Sequence, residues 1–195
     1  MGRGRKVNSN GERSMRLLRE KAIEIFSEYG YFQTKISDIV KAANVTQPTF
    51  YLYFESKEVL YKDILSEFQN SVDEIFIETQ HEFEKIQNSK QAIQNVLTKL
   101  FNFFATNPNL TKIGMFGSDV PFVSTILPQK FNSLIESQKG SFQHINCSIH
   151  IFIQSLIGSV ERVTLSALLS EKMEPEKLAE EIVNIYFSRE EVVSA

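Results

Sequence analysis

The chain has 195 residues, and 42% of them are hydrophobic, which is enough apolar material for a buried core in one domain or two. The net charge of −3 is unevenly distributed. Residues 1–62 hold eleven Lys and Arg against seven Asp and Glu, whereas residues 63–195 hold ten against seventeen. A basic first part on an acidic remainder indicates a nucleic-acid partner for the first part.

Cysteine content and hydropathy indicate the compartment. The single cysteine, Cys147, cannot form an internal disulfide, so we expect a reducing cytoplasm. The basic start MGRGRK is not followed by an apolar stretch, which argues against a signal peptide. No uninterrupted apolar run approaches the roughly 20 residues of a membrane span, so we expect no membrane partner.

The hydrophobic residues recur with the period of an α-helix along most of the chain, and no stretch alternates as a strand would. We expect Asn10 to cap a first helix that ends at Gly30. Two short helices follow, at 36–44 and 47–54. The apolar face of the first helix is predicted to hold Leu18, Ala22, Ile25, Phe26 and Tyr29.

The rest of the chain predicts longer helices. Ser56 caps a helix to Phe83, whereas residues 110–128 contain two Gly and two Pro and are expected to form short pieces. The other predicted helices are 90–106, 130–139 ending at Gly140, 146–170 capped by Asn146, and 175–188 beginning at Pro175. The predicted fold class is all-α, with a three-helix DNA-binding domain at 1–58 and a larger helical domain at 59–195.

The segment at 36–54 has the length of a helix-turn-helix, whose second helix enters the major groove of DNA. Thr46 stands at a helix cap, and Pro48 suits the first turn of the helix that follows. If Phe50 and Phe54 face the core, four polar side chains face outward and suit base edges and phosphates. These are Gln47, Thr49, Tyr51 and Tyr53.

Lys57 begins the next helix, where a lysine and the helix dipole both favour a phosphate. The alternative for Tyr51 and Tyr53 is that they pack between helices. That alternative leaves the Gln47-Pro48-Thr49 run and the local positive charge unexplained.

A family resemblance follows from the order and spacing of about a dozen residues. They are Gly30, Thr34, Ile36, Asp38-Ile39, Ala43, Val45-Thr46, Thr49-Phe50-Tyr51-Leu52-Tyr53-Phe54, Ser56-Lys57 and Leu60. This pattern resembles the TetR family of bacterial transcriptional repressors, without a gap, over about fifty residues. Asn44 replaces a usual turn glycine, and asparagine tolerates the left-handed backbone that such a turn needs.

The resemblance implies roles for individual residues. It implies that Ser37 lies near the DNA backbone. Lys35 departs from the pattern, which has Thr or Ser there more often, and we expect it to add a phosphate contact. The resemblance places Thr46, Gln47, Pro48 and Thr49 at the groove and Tyr51, Tyr53 and Lys57 on phosphates. The implied partner is a pseudo-palindromic double-stranded operator.

For the body, the resemblance implies a domain that binds a ligand and forms a dimer. The phenylalanines are more numerous than a small core requires, so a pocket for a hydrophobic or amphiphilic effector is predicted. A tightly packed core is the alternative. The candidate pocket residues are Phe76, Phe101, Phe104, Phe116, Phe122 and Phe152.

The last two predicted helices suggest a homodimer interface. The helix at 146–170 is apolar nearly all round and carries small residues that permit close approach of another helix. A monomer that buries these helices internally is the alternative. The candidate interface residues are Ser155, Gly158, Ser159, Arg162, Ser166, Ile182, Ile185 and Tyr186.

Catalysis is not expected. The histidines at 81, 144 and 150 lack the spacing of metal ligands, and Cys147 has no base partner in the pattern. No cofactor is predicted. The function expected is a homodimeric repressor that a small ligand releases from DNA, and the alternative is a DNA-binding regulator controlled by a protein partner or without any small-molecule effector.

Overall fold

A computed structural model describes residues 9–83, 88–117, 121–136, 142 and 147–187. Those residues form helices and contain no strand, so the all-α prediction is confirmed. The helices are α1 (Ser9–Gln33), α2 (Ile36–Ala42), α3 (Gln47–Tyr51), α4 (Lys57–Phe83), α5 (Ser89–Thr106), α6 (Pro108–Phe116), α7 (Leu127–Glu136), α8 (Ile149–Val163) and α9 (Pro175–Tyr186), with π-helical segments at Phe122–Ile126 and Thr164–Leu168.

The described residues fall into two compact units. The first unit holds residues 9–69 together with 109–117, and the second holds the remaining described residues. The first unit therefore extends beyond residue 58, where the sequence places a domain boundary, and it includes most of α6. The α4 helix contributes residues to both units.

In the first unit, α1 buries Leu18, Ala22 and Phe26. Tyr29, predicted on the same face, is exposed, because the helical geometry breaks at the next residue. Gly30 has φ 78° and ψ 166°, a conformation that glycine adopts without a side-chain clash. Asn10 lies inside α1 and not at its cap.

The turn between α2 and α3 forms as the sequence predicts. Asn44 has a positive φ of 52°, the left-handed conformation expected for a residue that replaces a turn glycine. Phe50 on α3 and Phe54 just after it are buried, and Leu60 on α4 is fully buried as well. The α3 helix packs on both α1 and α2, so these three helices share an apolar core.

The α6 helix corrects the expectation that residues 110–128 form only short pieces. It continues through Gly114, which lies against the fully buried Phe68 ring of α4. A Cβ atom built on Gly114 would lie 2.2 Å from Phe68 Cδ1. Glycine is therefore required here by close approach, although it ordinarily weakens a helix.

In the second unit, α5 packs mainly against α9. Asn102 Nδ2 donates a hydrogen bond of 2.9 Å to the Glu176 carboxylate at the start of α9. This bond, helped by the backbone N–H of Glu176, lowers the pKa of Glu176. The α5 helix buries Ala92, Ile93, Val96, Leu97, Leu100, Phe101 and Phe104.

The end of the chain follows the predicted order with shifted boundaries. Ser148 caps α8, with its side chain accepting from the Ile151 N–H, whereas Asn146 lies outside the described residues. Pro175 begins α9 as predicted. The segment Ile149–Leu168 is long and apolar enough to cross a membrane by length and composition. In the structure it buries one face, with Phe152 among its fully buried side chains.

We predict that Gly114→Ala destabilises the protein by about 1–3 kcal/mol through overpacking, despite the better helix propensity of alanine. Urea unfolding measures the free energy, and Phe68→Leu combined with Gly114→Ala completes a double-mutant cycle. A favourable coupling energy is expected because leucine leaves room for the new methyl group. An unchanged or higher stability of Gly114→Ala would contradict the steric contact.

Candidate functional site

The site expected to contact DNA is built on α3, which a cap and a proline shape. Thr46 accepts a hydrogen bond from the Thr49 N–H at 3.4 Å, and the hydroxyls of Thr46 and Thr49 lie 2.9 Å apart. Pro48 occupies the first turn, where its fixed φ suits a helix and its missing N–H costs no hydrogen bond. These features make a five-residue helix with a defined start.

The buried side of this segment forms as predicted, and two of the four side chains predicted to face outward are exposed. Phe50 is fully buried, whereas Gln47 and Pro48 are exposed and Thr49 is half-buried. Tyr51 is 55% exposed, so packing between helices does not account for it. The α3 surface thus presents an amide, hydroxyls and a phenol, the groups that pair with base edges and phosphates.

Tyr53 is placed differently from Tyr51. It is half-buried, and a Cβ atom built on Gly11 of α1 would lie 3.2 Å from the Tyr53 hydroxyl. The hydroxyl therefore lies beside the start of α1. Its predicted phosphate contact remains a prediction, and its packing against α1 is an addition from the structure.

The predicted contacts on α2 are accessible. Lys35 and Ser37 are both exposed. The Lys35 backbone N–H donates to the Asp38 carboxylate at 3.1 Å, which caps the helix and leaves the lysine side chain outside it. A short capped helix with an exposed lysine and serine is compatible with contacts to a DNA backbone.

Lys57 has a different environment from the one that the sequence suggests. Its Nζ donates to the backbone carbonyl oxygens of Tyr31 and Thr34 at 2.7 and 2.8 Å, and it lies 4.2 Å from the centroid of the Tyr31 ring. Two of the three ammonium donors are thus engaged within the protein. The phosphate contact predicted for Lys57 remains a prediction, and the structure adds that this side chain ties the α1–α2 connection to α4.

The same junction contains a second hydrogen bond. Thr34 is buried, and its hydroxyl donates to the Gly30 carbonyl at 2.8 Å. The backbone from Gly30 to Thr34 is therefore held by one threonine and one lysine. Thr34 and Tyr31, whose carbonyls bind Lys57, are 23 and 26 residues from it along the chain. No sequence pattern identified this contact.

Leu52 is a further residue that the sequence analysis did not single out. It is 78% exposed and lies between the two tyrosines, immediately after α3. A large exposed apolar side chain at the tip of a recognition segment can contact sugar or thymine methyl groups. The sequence could have predicted this exposure, because Leu52 does not lie on the helix face that Phe50 and Phe54 share.

The six phenylalanines predicted to line a pocket lie in two places. Phe116 belongs to the first unit and is half-buried. Phe76 of the second unit lines an open groove on α4 and α7. The other four, Phe101, Phe104, Phe122 and Phe152, are fully buried. Full burial favours close packing for these four, which was the alternative to a pocket.

The predicted dimer residues on α8 lie mostly on an exposed face. Ser155, Gly158 and Arg162 are exposed, and so is Ser166 in the π-helical segment that follows. A Cβ atom added to Gly158 would meet no other atom within 4 Å. This face has small side chains and room for another helix.

On α9 the prediction requires one correction. Ile185 is 72% exposed, but Ile182 is buried inside the protomer, because the inner face of α9 packs on α5. Tyr186 and Ser159 are partly buried, and their hydroxyls lie 2.8 Å apart. Ile182 therefore belongs to the core, and Ile185 remains a candidate contact.

Metal binding has no support in the part of the chain that the structure describes. Within those residues, no group of three or more His, Cys, Asp and Glu side chains could hold a metal ion. Cys147 is exposed.

Comparisons with known proteins agree with this geometry. A family model described as bacterial regulatory proteins, tetR family, matches residues 18–64, which include α2 and α3. The HTH-type transcriptional regulator YdgC of Bacillus subtilis (strain 168) is 31% identical over 185 residues, covering 92% of this chain and 93% of that protein. A fatty acid metabolism regulator protein from the same organism is 28% identical over 120 residues, covering 60% of this chain and 58% of that protein.

One solved structure illustrates the fold. The transcriptional regulator FadR from Bacillus subtilis, in complex with stearoyl-CoA, matches with a TM-score of 0.62 at 20% identity. The match covers 88% of this chain and 96% of that chain. At this identity the likeness shows the fold alone.

We predict that Lys57→Met lowers the free energy of unfolding by about 1.5–3 kcal/mol, because it removes two partly buried hydrogen bonds from a charged donor to backbone carbonyls. Urea unfolding measures this value. Lys62→Met on the same helix is the control, since Lys62 is exposed and pairs only with the exposed Glu58 in the described contacts. Equal stability of the two variants would contradict the structural role of Lys57.

Proposed function

Because this chain belongs to the TetR family of bacterial regulatory proteins and is a helix-turn-helix transcriptional regulator, we propose that it acts as a homodimeric repressor released from its operator by a small amphiphilic ligand. Family membership also makes it a regulator and not an enzyme. We further propose that residues 1–58 serve DNA binding, that 59–195 serve ligand binding and dimerisation, and that the protein works in the cytoplasm.

One observation carries the DNA-binding assignment. The α3 helix turns Phe50 into the core and leaves Gln47 and Tyr51 exposed beside a capped helix start. We assign base contacts to Gln47 and Thr49, with Thr46 and Pro48 setting the helix start in the groove. We assign phosphate contacts to Lys35, Ser37, Tyr51 and Tyr53.

Lys57 has a positioning role in this proposal. Its ammonium holds the connection between α1 and α2 and thereby fixes where the recognition helix α3 lies relative to its supporting helix. The remaining donor is available for a phosphate. A substitution there should therefore affect folding of the DNA-binding part as well as the salt dependence of binding.

The homodimer is proposed from the outer face of α8 and α9. Ile151 on α8, Leu165 in the π-helical segment after it and Ile185 on α9 are large apolar side chains that the protomer leaves exposed. Exposed apolar side chains on these elements support an interaction surface here. A two-fold dimer also presents two recognition helices, which suits successive major grooves about 34–36 Å apart.

Ligand control is proposed from the body and from the relatives. FadR was solved with stearoyl-CoA, which is a property of that protein, and it makes acylated amphiphiles the first class to examine here. An effector releases DNA only by binding more tightly to a form of the dimer whose recognition helices do not match the operator. The full burial of four candidate pocket phenylalanines supports the alternative, a regulator controlled by a protein partner or without an effector.

We predict that Gln47→Ala relaxes the preference at one base-pair position and weakens binding to the best operator by about 1–3 kcal/mol. Selection of bound duplexes from a random pool identifies the operator, and fluorescence anisotropy then measures affinity for single-base variants. Gln69→Ala on α4 serves as a control outside α3. A uniform loss of affinity for all sequences would assign Gln47 to backbone contact instead.

We predict that Ile185→Glu shifts the protein from dimer to monomer without lowering the stability of the protomer, because the side chain is exposed in one protomer. Sedimentation velocity measures the molecular mass. Ile77→Glu places the same charge on an exposed site of α4 and should leave the dimer intact. A monomeric wild-type protein, or a dimer that tolerates Ile185→Glu, would contradict the proposed interface.

A further inference from the structure

An open groove on the second unit lies between α4 and α7 and has a volume of about 330 Å³. This volume is near the lower end of the range, roughly 300–1,000 Å³, that small-molecule sites occupy. Its lining combines four apolar side chains with three uncharged polar ones and one oppositely charged pair, Asp73 and Lys130. The lining residues used below are Asp73, Phe76, Ile77, Ile126, Lys130 and Leu134.

The apolar part of the groove has one strongly exposed side chain, Ile77, beside the half-buried Ile126 and the buried Phe76 and Leu134. Ile77 is 59% exposed, although it stands next to the buried Phe76 on α4. Phe76 packs edge-on against Phe131 of α7, with ring centroids 5.1 Å apart, so packed aromatic rings lie beneath the groove. Ile126 and Leu134 continue the wall on the α7 side. An alkyl chain laid here would cover Ile77 and remove apolar surface from water.

The charged end of the groove is Lys130. Its ammonium is paired with the Asp73 carboxylate and lies 6.0 Å from the centroid of the Phe76 ring, the distance of a weak cation–π contact. The side chain of Lys130 is 21% exposed and that of Asp73 is 46% exposed. A half-exposed ion pair contributes little net free energy, so another anion can replace Asp73 at small cost.

We propose that this groove binds an amphiphile with an anionic head and an unbranched alkyl chain, the head pairing with Lys130 in place of Asp73 and the chain lying along Ile77, Ile126 and Leu134. The inference deepens the proposed ligand response, on which it rests, by assigning its site and its ligand class. Lys130 selects for the negative head, and the exposed isoleucine favours the chain. Asp73 competes with the ligand for the same ammonium.

Because Asp73 competes with the ligand for Lys130, substitutions of these two residues should change the ligand affinity in opposite directions. Removing the carboxylate while keeping the side-chain size should free Lys130 and strengthen ligand binding. Removing the ammonium should weaken it. If the groove bound ligands only through its apolar side chains, neither substitution would change the ligand affinity, because those side chains are the same in both variants.

The test is isothermal titration calorimetry of the full chain with decanoate, in the absence of DNA. Lys130→Met should weaken decanoate binding by about 5-fold or more, because a charge-assisted hydrogen bond is lost. Asp73→Asn should strengthen it by about 2-fold to 5-fold, in proportion to a weak surface pair. Methyl decanoate, which has no charge, should bind alike to wild type and both variants.

A matched control is available on α5. Lys99 also pairs with carboxylates of α4, Glu78 and Glu82, and lies outside the groove lining. Lys99→Met should bind decanoate as wild type does. Equal binding by Lys130→Met and Lys99→Met would overturn the proposal, and so would weaker binding by Asp73→Asn. Asp73→Asn is a second, independent criterion, because misfolding would strengthen the binding of methyl decanoate as well, so the test holds even if Lys130→Met is unstable.

Two further measurements are needed. One distinguishes a free carboxylate from an acyl thioester as the ligand, and the other distinguishes binding in this groove from release of the operator. Decanoyl-CoA in place of decanoate shows whether a thioester with a distant phosphate head uses Lys130 as a free carboxylate does. A loss of its affinity in Lys130→Met extends the site to acyl thioesters, and an unchanged affinity limits it to carboxylates. Decanoate that binds at Lys130 without changing operator affinity supports the site and contradicts its role as the releasing ligand.

Discussion

The DNA-binding part depends on one ammonium group. Lys57 stands at the start of α4, where the helix dipole disfavours a cation, and the carbonyls of Tyr31 and Thr34 compensate for that position. The same bonds give partners to two carbonyls at the C-terminal end of α1 and just after it, where no further helical turn follows. Local helices too short to be stable alone are thereby tied to a long one. The contact of Lys57 with the α1–α2 connection fixes the start of α4, and this helps to define the position of the exposed face of α3.

Local signals in the sequence were sufficient for the elements that create the candidate site. A cap at Thr46 with proline two residues later, and a cap at Ser56, determine helix starts within a few residues of chain. The spacing of Phe50 and Phe54 determines which face of the segment is buried. For this reason the helix-turn-helix and the exposure of Tyr51 were predictable, and so was the start of α9 at Pro175.

Contacts between distant segments were not predictable in the same way. Glycine at 114 suggests a break in a helix, yet the helix continues because Phe68 occupies the space of a side chain. Ile182 and Ile185 are both apolar, and only the packing of α9 on α5 shows that one is core and the other is surface. Likewise, a count of phenylalanines cannot distinguish the wall of a cavity from a filled core.

The two π-helical segments, Phe122–Ile126 and Thr164–Leu168, bear on the evolution of the body. A π turn holds one more residue than an α turn, so it absorbs a single inserted residue without rotating the rest of the helix. The first segment lies directly before α7 and the second directly after α8, so the adjoining helix keeps its buried and exposed faces. Phe122 and Leu168 are buried within these wide turns, so both segments contribute to the core. Single-residue gaps in an alignment with related chains are therefore expected to fall at these two places, and a helix-length change elsewhere in α7 or α8 would exchange core for surface.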